Sequence, residues 1–328
     1  MSLSIIIIII LALLSSFLNG IHDSSNVVST MIASRAFSAV VALNMVAVAE
    51  FSGPLIFGVA VAKTIGNDVV VANTIDTQVI MAALASAILW NLLTWYLGLP
   101  SSSSHALVGG LVGSVVMEAG WHAIKFSGIA KILIALFASP VIGFIFGFLI
   151  FRLVVMLSRD ATPKINNLFK RGQMVSSIAL ALSHGANDGS KTMGIIALAL
   201  VTEGYLKTFA VPFWVIIICA LAMALGTRLG GMRLIRTVGG KFYKIQPLDG
   251  FASQLSSAVV ILGASLFGGP VITTQVVSTS IMGVGSAERA NKVRWSVAQE
   301  IATAWLLTIP ATAIVSAALC WILLHFIP

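Results

Sequence analysis

The sequence has little charge. Only 9% of its 328 residues are Asp, Glu, Lys or Arg, against about 25% in a soluble globular domain. With 58% apolar residues and a mean hydropathy of +1.03, that deficit excludes a soluble enzyme and a disordered chain. Cysteine is nearly missing too. Cys219 and Cys320 lie in apolar stretches, with no metal-ligand spacing and no paired loop partner. They read as packing residues and exclude a disulfide-stapled secreted domain. No Lys or Arg precedes Arg35, so the apolar N-terminus lacks the basic start of a cleaved signal peptide and is expected to remain in the mature protein. Polar–apolar alternation is missing from runs such as 5–14 and 141–151, which argues against barrel strands. No Walker motif, zinc-ligand pattern or nucleophile elbow occurs. Ser183 and His184 are adjacent, and adjacent residues on a helix do not face each other. The expectation is no enzyme and no resident cofactor.

What is present is a series of long apolar runs, enough for roughly ten membrane helices with short loops. The net charge of +8 follows from basic loops between these runs, so the positive-inside rule explains it and no nucleic-acid partner is expected. The chain also repeats itself. Gly20-Ile21-His22-Asp23-Ser24-Ser25-Asn26 aligns with Gly185-Ala186-Asn187-Asp188-Gly189-Ser190-Lys191. Lys63-Thr64-Ile65-Gly66 aligns with Arg236-Thr237-Val238-Gly239. Leu99-Pro100-Ser101-Ser102-Ser103-Ser104-His105 aligns with Gly269-Pro270-Val271-Ile272-Thr273-Thr274-Gln275. The three matches come in one order at nearly one offset. They divide the chain into a first repeat over 1–155, a basic connection over 156–173 and a second repeat over 174–328.

Each repeat holds five apolar stretches: 4–34, 39–62, 79–98, 104–118 and 129–151, then 174–201, 209–227, 251–267, 271–286 and 296–326. The Asn/Asp-Gly punctuation inside the first stretch of each repeat predicts a helix broken there. Fourteen of the nineteen basic residues fall at Arg35 and in the loops 152–171, 228–244 and 289–294. With these on the cytoplasmic side, 63–78 lies outside and its counterpart lies inside. The two repeats are therefore expected to have inverted topology, with both termini extracytoplasmic. The predicted fold is an all-α polytopic membrane protein of two inverted repeats, with broken or re-entrant helices meeting at the midplane, an architecture of secondary transporters.

Ionisable residues inside a membrane are costly and usually functional. Asp23 and Asp188 are repeat-related, and two facing carboxylates can hold Na⁺ or exchange protons. Asn26 and Asn187 add neutral oxygen ligands, suited to a hard cation. Lys191 sits three residues after Asp188 and would either neutralise it or attract an anion. Ser101–Ser104 and Thr273–Thr274 each precede a Gly-containing helix, where hydroxyls and free N–H groups can cradle an anion or simply cap the helix. Glu50, expected to pair with Asn44 or line a path, and Glu300 lack acidic counterparts. His105 and Gln275 are equivalent positions, and His105 reads as a structural residue. Trp90, Trp95 and Trp295 read as an interfacial belt, and Gly109, Gly110 and Gly113 as close helix packing.

These segments resemble the signatures of the PiT inorganic phosphate transporter family. Gly185-Ala186-Asn187-Asp188-Gly189-Ser190-Lys191 is similar to its G-A-N-D-x-x-K segment, and Asn19 to Asn26 to the first-half copy, N-G-x-x-D-x-x-N. Residues 100–105 and 270–275 resemble its paired P-x-S-T-T-H segments, the second departing from the pattern as Val-Ile-Thr-Thr-Gln. The resemblance implies a symporter of phosphate with Na⁺ or H⁺, often a homodimer, in the inner membrane of a prokaryotic cell. By position it implies that Asp23, Asn26, Asn187 and Asp188 ligate ion or substrate. Ser102, Ser103, Ser104, Thr273 and Thr274 would hold the anion, with Lys191 beside them. The family also includes sulfate permeases, and a passive anion channel would suit a polar midplane as well. Phosphate keeps a proton near neutral pH and sulfate does not, so a carboxylate that accepts the P–O–H hydrogen bond favours phosphate. Asp23 or Asp188 is the candidate acceptor, unless both hold Na⁺.

Overall fold

A computed structural model describes residues 2–70, 75–97, 101–162, 164–230 and 245–326. Apart from one isolated β-bridge between Val70 and Ile124, the described residues are helices and their connections. In chain order the helices are α1 (Leu3–Ala33), α2 (Ala39–Phe57), the short α3 (Ala60–Gly66), α4 (Thr77–Leu97), α5 (Ser103–Ala119) and α6 (Phe126–Leu157). They continue with α7 (Ile165–His184), a π-helical turn (Gly185–Gly189), α8 (Ser190–Thr202), α9 (Phe213–Leu229), α10 (Pro247–Leu266), α11 (Thr273–Glu288) and α12 (Trp295–Phe326). Five of the described helices are long and apolar enough to cross a membrane, α1, α2, α4, α6 and most of α12. At 1.5 Å per residue the 32-residue α6 reaches about 48 Å, longer than a bilayer's hydrocarbon core.

The break expected in the first stretch is not there. α1 runs unbroken through Gly20 and Asp23. Its Ser24 and Ser25 hydroxyls donate to the carbonyls of Ile21 and His22 and stay inside the helix. Gly20 serves packing instead of a turn: a Cβ there would lie 2.2 Å from the Met223 carbonyl oxygen of α9. In the second repeat the corresponding segment is only loosened, to the π turn at Gly185–Gly189. Such turns insert a residue into the helical register and are common at functional sites. A true break comes where none was expected, at Gly58 (φ 79°), which separates α2 from α3 within 39–66. Helix α7 also begins inside the basic connection. Its polar start is held by the Phe169–Phe251 ring contact and by buried Gln173, so the described non-helical residues between α6 and α7 are 158–162 and Lys164.

α4 and α5 pack as a hairpin whose outer ends meet where Asp76 N donates to Glu118 Oε2. α10 and α11 form a second hairpin, and at its base Lys292 Nζ reaches Asp249 Oδ2 at 3.4 Å. The bases sit at opposite ends of the molecule. The first lies with the hydrophobic cluster of Ile5, Ile8, Val70, Val79 and Leu198, the second with that of Val27, Met31, Ile245, Val276 and Trp305. Helix partners are exchanged reciprocally. α1 packs on α9 and α7 on α2, while α5 packs on α12 and α11 on α6. Glycine permits the first pair of contacts at both ends of the exchange: Gly20 and Gly226 between α1 and α9, Gly53 and Gly185 between α2 and α7. Gly109 and Gly113 meet α12 as expected, a Cβ on Gly113 lying 2.1 Å from the Ala313 carbonyl oxygen. Between the two apolar clusters, at mid-length of α1 and of α7–α8, lies a buried polar layer.

Candidate functional site

The tips of the two hairpins meet this layer from opposite sides. Asp188 takes one hydroxyl from each tip, while Asp23 takes one from the second tip and lies beside a hydroxyl of the first. Asp23 Oδ1 accepts from Thr274 Oγ1 at 3.0 Å, and Ser103 Oγ, which donates to Asn19 Oδ1 at 2.5 Å, lies 3.5 Å from Asp23 Oδ2. Asp188 Oδ2 accepts from Thr273 Oγ1, and Asp188 Oδ1 from Ser104 Oγ at 3.3 Å. Asn26 Nδ2 donates to both Asp23 Oδ1 and Thr274 Oγ1 at 3.0 Å. The hydroxyls can reach the carboxylates because α5 and α11 begin there, at Ser103 and Thr273. Their first-turn N–H groups and dipoles face the same layer, an arrangement that favours anions.

Lys191 crosses the layer. Its Nζ pairs with Asp188 Oδ1 and also donates to Ser104 Oγ at 2.6 Å and to the Val271 carbonyl at 2.8 Å. The ammonium thus ties α8 to both tips at once. Both members of the Asp188–Lys191 pair are buried, and a buried pair costs desolvation that only such additional hydrogen bonds offset. A small recess opens beside them, lined by Asn19, Ser103, Ser104, Asp188, Lys191 and Thr192.

Two of the expected residues lie aside. Ser102 Oγ accepts from His105 N and caps α5, so its hydroxyl does not face the carboxylates. Asn187 donates to Ser265 Oγ at 3.0 Å, leaving its buried Oδ1 without a hydrogen-bond partner. Trp90 is not interfacial: its Nε1 donates to Ser101 Oγ at 2.7 Å, at the tip of the first hairpin. Leu99, Pro100 and the segment 236–239 lie outside the described residues, as does the side chain of Glu300.

Sequence reasoning missed His184 and misplaced Glu50. His184 Nε2 lies 3.0 Å from Asp188 Oδ2 and 3.7 Å from Asp23 Oδ2, so the imidazole sits between the two aspartates. Its Nδ1 pairs with Glu50 Oε1 at 2.7 Å, and Glu50 Oε2 accepts from Thr227 Oγ1. Glu50 therefore orients the imidazole and does not pair with Asn44. One ligand atom each from Asp23, His184 and Asp188 lie within 4.8 Å of one another, close enough to share an ion. The available signal was a buried acid and a histidine in apolar stretches. Neither has an acidic or basic counterpart in the other repeat, where the equivalent positions are Met223 and Asn19.

Residues 19–164 and 155–316 match the profile of the phosphate transporter family, so both halves of the chain match it. The chain belongs to the phosphate transporter family. It is 42% identical to a probable low-affinity inorganic phosphate transporter of Bacillus subtilis, over 97% of this chain and 96% of the relative. A protein of the same description from Rhizobium meliloti is also 42% identical, over 96% and 94%. A putative phosphate permease of Thermococcus kodakarensis is 27% identical over 93% and 94%. A solved structure described as the sodium-dependent phosphate transporter superposes with a TM-score of 0.93 at 25% identity, covering 99% of this chain and 100% of that one. This member of the phosphate transporter family is thus a membrane-embedded transporter and not an enzyme. Its motif segments are the ones that meet in the buried layer.

Proposed function

We propose that this transporter imports inorganic phosphate by symport with Na⁺, through alternating access around the layer between the hairpin tips. The observation that carries this reading is that both hairpin tips converge on the aspartates: Ser104 and Thr273 both donate to Asp188, Thr274 donates to Asp23, and Ser103 lies beside it. A cation bound at Asp23 and Asp188 would change the charge that both tips feel. Occupancy of the cation site would thereby be linked to the position of the hydroxyls and helix N-termini that hold the anion. Asp23, Asn26 and Asp188 supply hard oxygen donors of the kind Na⁺ takes, with the unpartnered Asn187 Oδ1 as a further one. Ser103, Ser104, Thr273, Thr274 and Lys191 supply donors for phosphate, and a free carboxylate oxygen would accept its remaining proton. The solved relative described as sodium-dependent supports Na⁺ over H⁺ as the coupling ion.

The membrane arrangement follows from the same reading. The end that gathers Ser34, Gln173, Pro247 and Lys292 through the bonds Ser34–Gln173, Gln173–Pro247 and Lys292–Asp249 faces the cytoplasm. Basic residues concentrate there. Both termini then lie outside, the two repeats are inverted, and the protein works as a homodimer in the inner membrane. Labelled phosphate uptake into proteoliposomes tests the function. A Na⁺ gradient, inward and with no pH difference, is expected to drive phosphate above its equilibrium level, with sulfate not competing. Accumulation driven by a pH gradient alone would replace Na⁺ with H⁺. Entry that never exceeds equilibrium would make the protein a channel, and competition by sulfate would widen the substrate class.

A further inference from the structure

The buried layer contains one arrangement built twice. In the first repeat the Asn26 amide, three residues after Asp23, donates to Asp23 Oδ1 and to Thr274 Oγ1, both at 3.0 Å. In the second the Lys191 ammonium, three residues after Asp188, donates to Asp188 Oδ1 and, at 2.6 Å, to Ser104 Oγ. The sequence repeat makes the members equivalent one by one: Asp23 aligns with Asp188, Asn26 with Lys191, and Thr274 with Ser104. The carboxylate and the hydroxyl are kept. Only the third member changes, from a neutral amide to a charge. The two side chains have different capacities toward a cation. An amide carries a carbonyl oxygen that can ligate one, whereas an ammonium has three donors and no acceptor. All three Lys191 donors are used, the third acceptor being the Val271 carbonyl at 2.8 Å. The ammonium is buried and is surrounded as a hard metal cation would be, by carboxylate, hydroxyl and carbonyl oxygens.

We propose that Lys191 is a tethered cation: it fills, in the second repeat, the place of a transported one and leaves the two aspartates with a single mobile cation. The inference rests on the symport reading for the identity of that ion, Na⁺. Charge balance agrees with it. Glu50 and His184 pair with each other. Asp23 and Asp188 bring two negative charges into the layer, and Lys191 offsets one. A single monovalent cation then completes neutrality before the anion enters, and uncompensated charge in a buried layer is costly. The mobile ion is left with Asp23, Asn26 and the Oδ2 side of Asp188, because Lys191 takes Oδ1. The ammonium lines the recess beside Ser104, so its charge still acts on an anion there. A purely structural ion pair and a tethered cation differ in one consequence. Removing the ammonium opens a second Na⁺ site only if the place it fills is a cation site.

The test uses the purified full chain, with choline replacing Na⁺ at constant ionic strength. Lys191→Asn installs the side chain of the equivalent position in the first repeat. Its thermal unfolding midpoint is expected to fall below wild type in choline and to recover in Na⁺, gaining more than the wild type gains. Lys191→Met offers no oxygen, so its midpoint should stay low in both salts. Equilibrium phosphate binding counts the ions. Below saturation, a tenfold rise in Na⁺ should raise phosphate affinity about tenfold in the wild type and about a hundredfold in Lys191→Asn. A Lys191→Asn midpoint that gains no more from Na⁺ than the wild type makes Lys191 a structural partner of Asp188 and overturns the proposal. So does a wild-type dependence of about a hundredfold, a result that requires no variant to fold. Wild-type phosphate binding indifferent to Na⁺ is a separate failure. It removes Na⁺ from the transport reading, and the Lys191→Asn midpoints, with Na⁺ as probe of the vacated place, then decide the proposal alone.

Discussion

Asp23 and Asp188 are the residues on which the transport reading turns, and their chemistry predicts how each substitution fails. Asp→Asn keeps the shape and most hydrogen bonds but removes the charge that a cation needs. Asp23→Asn and Asp188→Asn are each expected to lower coupled phosphate uptake at least about a hundredfold, the value of about 2.7 kcal/mol, while the purified proteins remain folded by circular dichroism. Lys191→Met should behave differently. It leaves Asp188 buried without its partner, which costs about 3–5 kcal/mol, so a lowered thermal unfolding midpoint is expected together with loss of uptake. An unchanged midpoint would mean that Lys191 is not needed to neutralise Asp188. The two aspartates were legible in the sequence because the repeat displays them twice, whereas Lys191 aligns with Asn26. His184 and Glu50 were not, since they meet across 134 residues and each appears in one repeat only. Ser102 shows the converse error: a hydroxyl in the right motif that the backbone of α5 uses as a cap.

At the scale of elements, glycine was the ambiguous letter. Gly20 and Gly185 read as helix breakers, yet both sit where another helix backbone leaves no room for a Cβ. At Gly185 a Cβ would lie 2.1 Å from the Glu50 carbonyl oxygen. Sequence alone cannot tell a glycine chosen for a positive φ from one chosen for contact, because the partner helix lies in the other repeat. Gly58, with its positive φ, is the real interruption. Gly20→Ala is therefore expected to push α1 and α9 apart, costing about 1–3 kcal/mol. A lower unfolding midpoint and a Gly20→Ala protein with reduced uptake would bear this out. Gly204→Ala, where φ is positive but nothing lies within 4 Å, should leave uptake unchanged. Helix α7 was read as starting too late because its first turns are polar. Their burial depends on Phe251 and Pro247, distant in sequence.

For the whole molecule, the charge asymmetry and the internal repeat together pointed to two inverted repeats with broken or re-entrant helices, and the structure has two helical hairpins whose tips meet the polar layer. The reciprocal exchange of helix partners is what that symmetry requires. It also makes orientation testable without transport. Single cysteines placed at Ser158 and at Glu203, in a background without Cys219 and Cys320, should label from opposite sides of the membrane. Ser158 is expected to react only with reagent admitted to the cytoplasm, and Glu203, beside Ser2 at the N-terminal end, only with reagent outside. Labelling of both from one side would refute the inverted arrangement. The proposed inversion would matter for function because it would bring two hairpin tips to two equivalent aspartates.

Under the proposed mechanism, cation occupancy of the aspartates sets the affinity of the tips for phosphate. Equilibrium binding of labelled phosphate to the purified protein across a Na⁺ titration, for wild type, Asp23→Asn and Asp188→Asn, tests it most directly. Wild-type affinity is expected to rise steeply with Na⁺, and each variant is expected to lose this dependence. Phosphate affinity that still rises with Na⁺ in both variants, as in the wild type, would contradict it.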